Sequence, residues 1–299
     1  MRRREPPGGA RVPTLIVHGG AGADPVDGRE EARLGVGAAV VAGWRILGGG
    51  GQALDAVEAA VRTLEDHPRF NAGHGAVLTA AGTVELDASV MEGDRLRCGA
   101  VGAVSGVANP VTLARRIMDD GRHVLLVGEG ALGFARAAGV AECDPVSLVT
   151  ERQRRRWLER ERAAGAAGTV GAVALDRHGT VAAATSTGGI AGKRPGRVGD
   201  SAVIGCGTYA DSTLGGVSCT GDGEAIIRVV LARRALEYLK EADDPTYAAQ
   251  VAVDLLVDEG QGQGGLILVD WRGRTGYAHS TPWMPVGWMS PALAEPMIP

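Results

Sequence analysis

At 299 residues with 45% hydrophobic content, the chain is long enough to bury a full core, as one large domain or two small ones. A formal net charge of −4 gives no electrostatic case for a nucleic-acid partner, and no apolar run approaches the ~20 residues of a membrane span. The four cysteines, Cys98, Cys143, Cys206 and Cys219, show neither CxxC nor zinc spacing, which predicts buried thiols in a reducing compartment and hence a cytoplasmic protein.

In chain order, Met1 to Pro7 is basic enough to begin an export signal, but the apolar stretch that should follow is missing, so it reads as a frayed tail. Residues 14–17 read as a strand, and 29–47 and 52–64 as helices. Gly48 to Gly51 follows a helix rather than a strand, the setting of a linker and not of a phosphate cradle. Residues 76–105 predict three short strands, Asn109-Pro110 opens a helix to 118, 124–127 form a strand and 131–138 a helix. Helices flanking runs of strands, without strict βαβ alternation, predict two sheets packed between helices. Thr150 with Gln153 makes a capping box for a charged helix through Arg162. Its six arginines, Arg152, Arg154, Arg155, Arg156, Arg160 and Arg162, alternate with Glu151, Glu159 and Glu161 and predict a solvated face rather than an RNA-binding arm. Residues 163–168, all alanine and glycine, form a leash.

Thr169 follows that leash at the head of an apolar run. A threonine in mid-chain is a poor nucleophile, since nothing nearby takes its proton. Breaking the Gly168-Thr169 bond would place an α-amino group, with a reference pKa of ~7.7–8.0, on the same residue as the hydroxyl, so one residue would supply nucleophile and base. Residues 169–175, a turn at Asp176-Arg177-His178-Gly179 and residues 180–187 read as a hairpin. Opposed residues in such a pair have a constant index sum, and centring on the turn at 178 sets Thr169 opposite Thr187. A second hairpin is expected from 202–209, a turn at 210–213 and 216–220, followed by a helix over 225–239. Thr220 and the Gly221 amide then lie near a helix N-terminus, where unpaired N–H groups favour negative charge, as an oxyanion hole requires. Between the hairpins, the loop carrying Arg197 and Asp200 pairs a guanidinium fork that suits a carboxylate with a carboxylate that suits an ammonium, matching an α-amino acid.

These stretches resemble the plant-type L-asparaginase/isoaspartyl peptidase family of N-terminal-nucleophile hydrolases. The resemblance rests on residues 168–176 (GTVGAVALD), 184–189 (ATSTGG), 195–201 (PGRVGDS), Thr220-Gly221 with Gly223-Glu224, and 264–267 (GGLI); in the first half it rests on 16–22 (IVHGGAG), 70–75 (FNAGHG) and 85–91 (ELDASVM). It covers nearly the whole chain. What it implies is an α+β fold, a four-layer αββα sandwich, and a precursor that cuts itself between Gly168 and Thr169. The segments 1–168 and 169–299 would together make one folded domain. The activity implied is hydrolysis of L-asparagine and of β-aspartyl dipeptides.

By the same resemblance Thr169 is the nucleophile and Thr187 its hydrogen-bond partner. Thr220 and the Gly221 amide form the oxyanion hole, Arg197 and Asp200 hold the substrate's α-carboxylate and α-amine, and Gly221 and Gly223 add backbone contacts. Asn71 orients the precursor or the active-site wall. No cofactor is required beyond a structural sodium ion, held by the backbone carbonyls of Leu64, Glu65, His67, Phe70, Ala72 and His74. A homodimer of cleaved units is the expected assembly. Two departures stand out: Ala166-Ala167-Gly168 precedes the nucleophile where relatives often carry His-Asp or Asn-Leu-Gly, and Asp222 adds a carboxylate beside the amine pocket.

Rival classes fit less well. Gly188 to Lys193 is one residue short of a P-loop and has Arg194 where a magnesium-binding hydroxyl belongs; the six histidines form no HExxH pair. A glycosylasparaginase-like amidase, or a binding protein that has lost cleavage, remains the alternative.

Overall fold

The computed structural model describes residues 11–25, 27–159 and 168–299. The expected tail, the end of the charged helix with Arg160 and Arg162, and residues 163–167 of the leash lie outside the described residues. In order the chain forms β1 (Thr14–His18), α1 (Arg29–Gly48), α2 (Ala53–Glu65), β2 (Leu86–Glu92), β3 (Arg97–Val104), α3 (Pro110–Asp120), β4 (Leu125–Val127), α4 (Gly128–Ala137) and α5 (Glu151–Leu158). It continues with β5 (Val170–Leu175), β6 (Val181–Thr187), β7 (Thr208–Asp211), β8 (Gly215–Gly221), α6 (Gly223–Val229), α7 (Leu231–Ala242), α8 (Pro245–Asp258), β9 (Gly264–Asp270), β10 (Thr275–His279) and β11 (Val286–Met289).

The strands make a seven-stranded sheet ordered β11-β1-β5-β6-β2-β3-β4 and a four-stranded sheet ordered β10-β9-β8-β7. The two pack face to face. Period-two alternation sorts each strand between two layers. On β5, Val170, Ala172 and Ala174 join the core beneath α1, α2 and α3, whereas Val173 and Leu175 join Ile16, Val181, Ala183, Ile267 and Val269 between the sheets. On β8 and β9, Val217, Cys219, Leu266 and Leu268 face α7 and α8. The layers therefore run helix, sheet, sheet, helix, as expected of an αββα sandwich. Alternation also turns Thr169, Thr185, Thr187, Ser218 and Thr220 into the inter-sheet layer, which is apolar at its other end.

The hairpin of β5 and β6 has the expected register: Val170 pairs with Ser186 and Leu175 with Val181. The Asp176 carboxylate fixes the turn by accepting from the His178 and Thr180 N–H groups, and it also accepts from Ala53 at the start of α2.

Elsewhere the structure departs from the sequence expectations. Residues 76–105 hold two strands, not three, because 76–85 is spent on a turn in which Thr79 N–H donates to the Thr83 carbonyl and Gly82 N–H to the Thr79 carbonyl. The strand expected over 202–209 shrinks to β7, since Val203 and Gly207 both donate to the Asp200 carbonyl and Gly205 donates to Thr208. The helix expected over 225–239 breaks at Val230, which takes φ 53°; there the first turn of α7 docks, with Ala232 and Arg233 donating to the carbonyls of Cys206 and Gly205. Half of the capping box forms. The Thr150 hydroxyl accepts from Gln153 N–H, but the Gln153 side chain turns away to the Gly75 carbonyl. Of the four thiols only Cys206 and Cys219 are buried; Cys98 and Cys143 are half-buried, and all four are free.

Candidate active site

Thr169 is 3% exposed at the head of β5, one position beyond the Val170–Ser186 pair, so the ladder sets it opposite Thr187. The Thr187 hydroxyl accepts from the Gly189 N–H at 2.9 Å, and the Thr220 hydroxyl accepts from the Ala21 N–H at 3.0 Å. Each hydroxyl thus has its lone pair anchored by backbone and its single proton left to donate. Thr220 and Gly221 close β8 against β9, with Gly221 paired to Gly264 at φ 144°. Only glycine fits there, because a Cβ would come within 2.3 Å of the Gln263 carbonyl.

The Gly168–Thr169 junction is clasped from two sides. A Cβ on Gly20 would meet Gly168 Cα at 2.7 Å, and one on Gly168 would meet the Asn71 side chain at 2.9 Å. Asn71 donates from Nδ2 to the Gly189 carbonyl and accepts at Oδ1 from Val77, while its own carbonyl accepts from Gly188. It therefore joins the end of β6, next to Thr187, to the segment before Thr169. A cavity of about 250 Å³ continues the site over Gly168, with Gly19, Gly20, Asn71, Arg69 and Arg152 among its walls. Burial and the neighbouring Arg69 and Arg156 push the Arg152 guanidinium down to about 10.

Arg197, Asp200 and Gly223 converge: a Cβ on Gly223 would lie 2.8 Å from both Arg197 Nη2 and Asp200 Oδ1. Arg197 and Asp200 form no salt bridge with each other among the described residues. Instead Arg197 forks onto Glu224 at 2.9 and 2.8 Å, because Glu224 in the first turn of α6 is the carboxylate its fork reaches. That leaves Nη1, near Gly189 and Gly199, as the free edge of the guanidinium. Asp200 is buried with Oδ2 unpartnered, and burial pushes its carboxyl up to about 7 against the pull of Arg197. The Asp222 carboxylate is engaged by backbone: its Oδ2 accepts from the Gln263 N–H at 2.7 Å, and its N–H donates back to the Gln263 carbonyl.

The loop after α2 was expected to hold sodium. The carbonyls of Leu64, Glu65 and His67 accept from His67, His74 and Phe70, each keeping a second lone pair. Carbonyls converge on its two glycines: a Cβ on Gly73 would strike the Glu65 carbonyl at 2.6 Å, and one on Gly75 the Phe70 carbonyl at 2.7 Å. Backbone oxygens are the donor type a hard cation takes. The phenyl ring of Phe70 lies tilted beside His67 at 5.2 Å.

Two buried groups were not anticipated. Glu65 Oε1 accepts from Ser186 Oγ at 2.6 Å and Val111 N–H at 3.0 Å, and burial pushes this carboxyl up to about 8. His18 lies fully buried with Nε2 2.9 Å from Ser218 Oγ, and burial drives it down to about 3. The available signal was period two: Thr185 and Thr187, and Ser218 and Thr220, are hydroxyl residues spaced to share a face.

A family model described as Asparaginase matches residues 11–295. The chain is 47% identical over 268 residues to an isoaspartyl peptidase/L-asparaginase of Xenopus laevis, covering 87% of each. It is 46% identical over 285 residues to the isoaspartyl peptidase/L-asparaginase of Homo sapiens, covering 91% of this chain and 92% of that one. To a plant-type L-asparaginase of Pyrococcus abyssi it is 43% identical over 308 residues, with 94% and 98% covered.

Proposed function

Because this chain belongs to the asparaginase family, we propose that it hydrolyses L-asparagine to L-aspartate and ammonia and cleaves β-aspartyl dipeptides, using Thr169 freed by cleavage after Gly168. The observation that carries this reading is that three hydroxyl residues near the same ends of β5, β6 and β8 face the inter-sheet layer. Thr169 stands opposite Thr187, and the backbone-anchored Thr220 is tied to the loop after β1 through Ala21.

In the cleavage step the Thr169 hydroxyl attacks the Gly168 carbonyl, the peptide C–N bond breaks as an ester forms, and water hydrolyses the ester to leave a Gly168 carboxylate and a free Thr169 amine. In the catalytic cycle that amine takes the hydroxyl proton as Oγ attacks the side-chain carbonyl of the substrate, and returns it to the departing ammonia or amino acid; water then hydrolyses the aspartyl ester, releasing aspartate and restoring the hydroxyl. The negative oxygen formed in between meets the Thr220 proton and the Gly221 amide. Nη1 of Arg197 receives the α-carboxylate and Asp200 the α-ammonium, with the Gly221 and Gly223 backbone lining the grip. A sodium ion on the carbonyls of Leu64, Glu65, His67, Phe70, Ala72 and His74 would brace the loop that presents Asn71. The four free thiols suit a reducing, cytoplasmic setting, and pairing of two cleaved units completes the reading.

The test is direct. Purified protein is incubated, then assayed with L-asparagine and β-aspartyl dipeptides beside a Thr169→Ala variant. Turnover of both substrates by the wild type alone is expected; activity in the variant, or none in a processed wild type, contradicts it.

A further inference from the structure

Three hydrogen bonds hang the loop that carries Arg197 and Asp200 from the start of β2. The Lys193 ammonium donates to the Glu85 carbonyl at 2.9 Å, Gly196 N–H donates to Glu85 Oε2 at 2.8 Å, and Gly199 N–H donates to Asp87 Oδ2 at 2.9 Å. Glu85 immediately precedes β2 and Asp87 is its second residue, so the two amides they receive flank Arg197 and Val198. Asp87 is wholly buried, and its other oxygen, Oδ1, accepts from Ala103 N–H at 2.8 Å. That amide turns to it where the β2–β3 register shifts between Leu86 and Ala88 and Ala103 takes φ 47°. Val198 packs on the neighbouring Gly102, where a Cβ would come within 2.9 Å of its Cγ2. A buried carboxylate is tolerated where it is paired and hydrogen-bonded; Asp87 has two backbone amides, and Lys193 and Arg197 are the cations that bear on it.

Asp87 thus joins two parts of the site. In the β2–β6 ladder it pairs with Thr187, which stands opposite Thr169, while the amide it holds belongs to Gly199, directly before Asp200 and two residues after Arg197. We infer that Asp87, with Glu85 beside it, is a positioning residue that sets the spacing between the grip on the substrate's α-substituents and the nucleophile, and so determines the side-chain length the enzyme accepts. The tie follows from the hydrogen bonds alone, whereas what the loop grips rests on the proposed function. With Gly196 and Gly199 held, Arg197 and Asp200 cannot recede to let the longer glutamine bring its carbonyl to Thr169. Once the loop is released, asparagine loses its alignment and glutamine gains some, so the two kcat/KM values approach each other.

Two measurements separate the tie from its consequence. Hydrogen exchange, read by mass spectrometry over residues 194–200 of the full-length Thr169→Ala chain, should find the Gly199 amide protected, and adding Asp87→Ala should speed its exchange by about tenfold or more. In the otherwise wild-type chain, Asp87→Ala should lower the ratio of kcat/KM for asparagine to that for glutamine by about tenfold. Loss of folded or cleaved enzyme lowers both values alike and leaves their ratio unmoved, so the ratio reads positioning and not stability. Should Asp87→Ala fail to fold, Glu85→Ala frees Gly196 at the half-buried end of the tie and should lower the ratio in the same direction, while Glu85→Gln, which keeps an amide oxygen for Gly196, should hold it. Exchange or a ratio indifferent to the carboxylates, in variants that fold, overturns the inference. A wild type that turns over neither amide contradicts the proposed function instead, and exchange at Gly199 then still decides whether Asp87 holds the loop.

Discussion

Thr220 illustrates how a single hydroxyl is prepared for its task. Accepting from Ala21 N–H fixes its lone pairs, so its proton can meet negative charge without reorganisation. Thr220→Val should lower kcat by about 10²–10³ with little change in KM, as steady-state assays on asparagine would show. A KM effect at constant kcat would move Thr220 to ground-state binding. Asp200 sets the pH response. Its carboxyl is raised to about 7 by burial, so it is neutral below that pH and offers no charge to an α-ammonium. On the acid side kcat/KM should rise about tenfold per pH unit and level off above about 7. The stability effect has the opposite slope. A folded pKa above the ordinary carboxylate value means that the native state holds the proton more tightly, so this contribution is full below the ordinary range and is lost as pH rises through about 7. Asp200→Asn, which removes the titration, should therefore be more stable than wild type above pH 7 in urea melts, and no less inactive for it. A variant with an unchanged urea midpoint across that range would deny Asp200 its buried charge.

The hairpin of β5 and β6 was legible because small and β-branched residues flank a turn whose Asp176 side chain satisfies its own backbone, and the index sum then fixed Thr169 opposite Thr187. Residues 200–207 were not legible. Their hydrogen bonds close on the Asp200 carbonyl and on Thr208, a local competition that residue type and spacing do not announce. The break at Val230 was hidden for a related reason: a β-branched residue at positive φ opposes its own propensity, and docking of α7 on Gly205 and Cys206 overrides it. The Arg197–Glu224 fork likewise depends on where α6 begins, which residue type and spacing in the 195–201 loop do not announce. Gly171 tests the packing between elements. A methyl group there would overlap Ser218 and His18, so Gly171→Ala should cost roughly 1–3 kcal/mol in a urea melt, the usual cost of overfilling a packed layer, and should slow cleavage with it. Unchanged stability and cleavage would show that the inter-sheet layer has slack at this point.

At the scale of the whole molecule, the two segments on either side of Gly168 are woven together. β1, from the first, pairs with β5 and β11 of the second, and β6 pairs with β2 of the first, so neither segment closes the large sheet alone. Cleaved chains should therefore co-elute in size exclusion and separate only in denaturant; release of either fragment under native conditions would contradict the shared core. The same enclosure bears on specificity. If Arg197 and Asp200 fix the α-substituents as proposed, glutamine's extra methylene displaces the carbonyl from Thr220 and Gly221, and a misplacement of ~1 Å can cost about 10² in rate. Glutamine should be a very poor substrate beside asparagine, and comparable kcat/KM for the two would overturn this pocket. The central claim, that Thr169 becomes an N-terminal nucleophile, is tested most directly by intact mass spectrometry of incubated wild type beside Thr169→Ala. Scaling 30.6 kDa by length, the wild type should yield fragments of roughly 17 and 13 kDa, the smaller beginning at Thr169, while the variant stays whole. A wild type that persists as a single mass, or is cut at another bond, would contradict it.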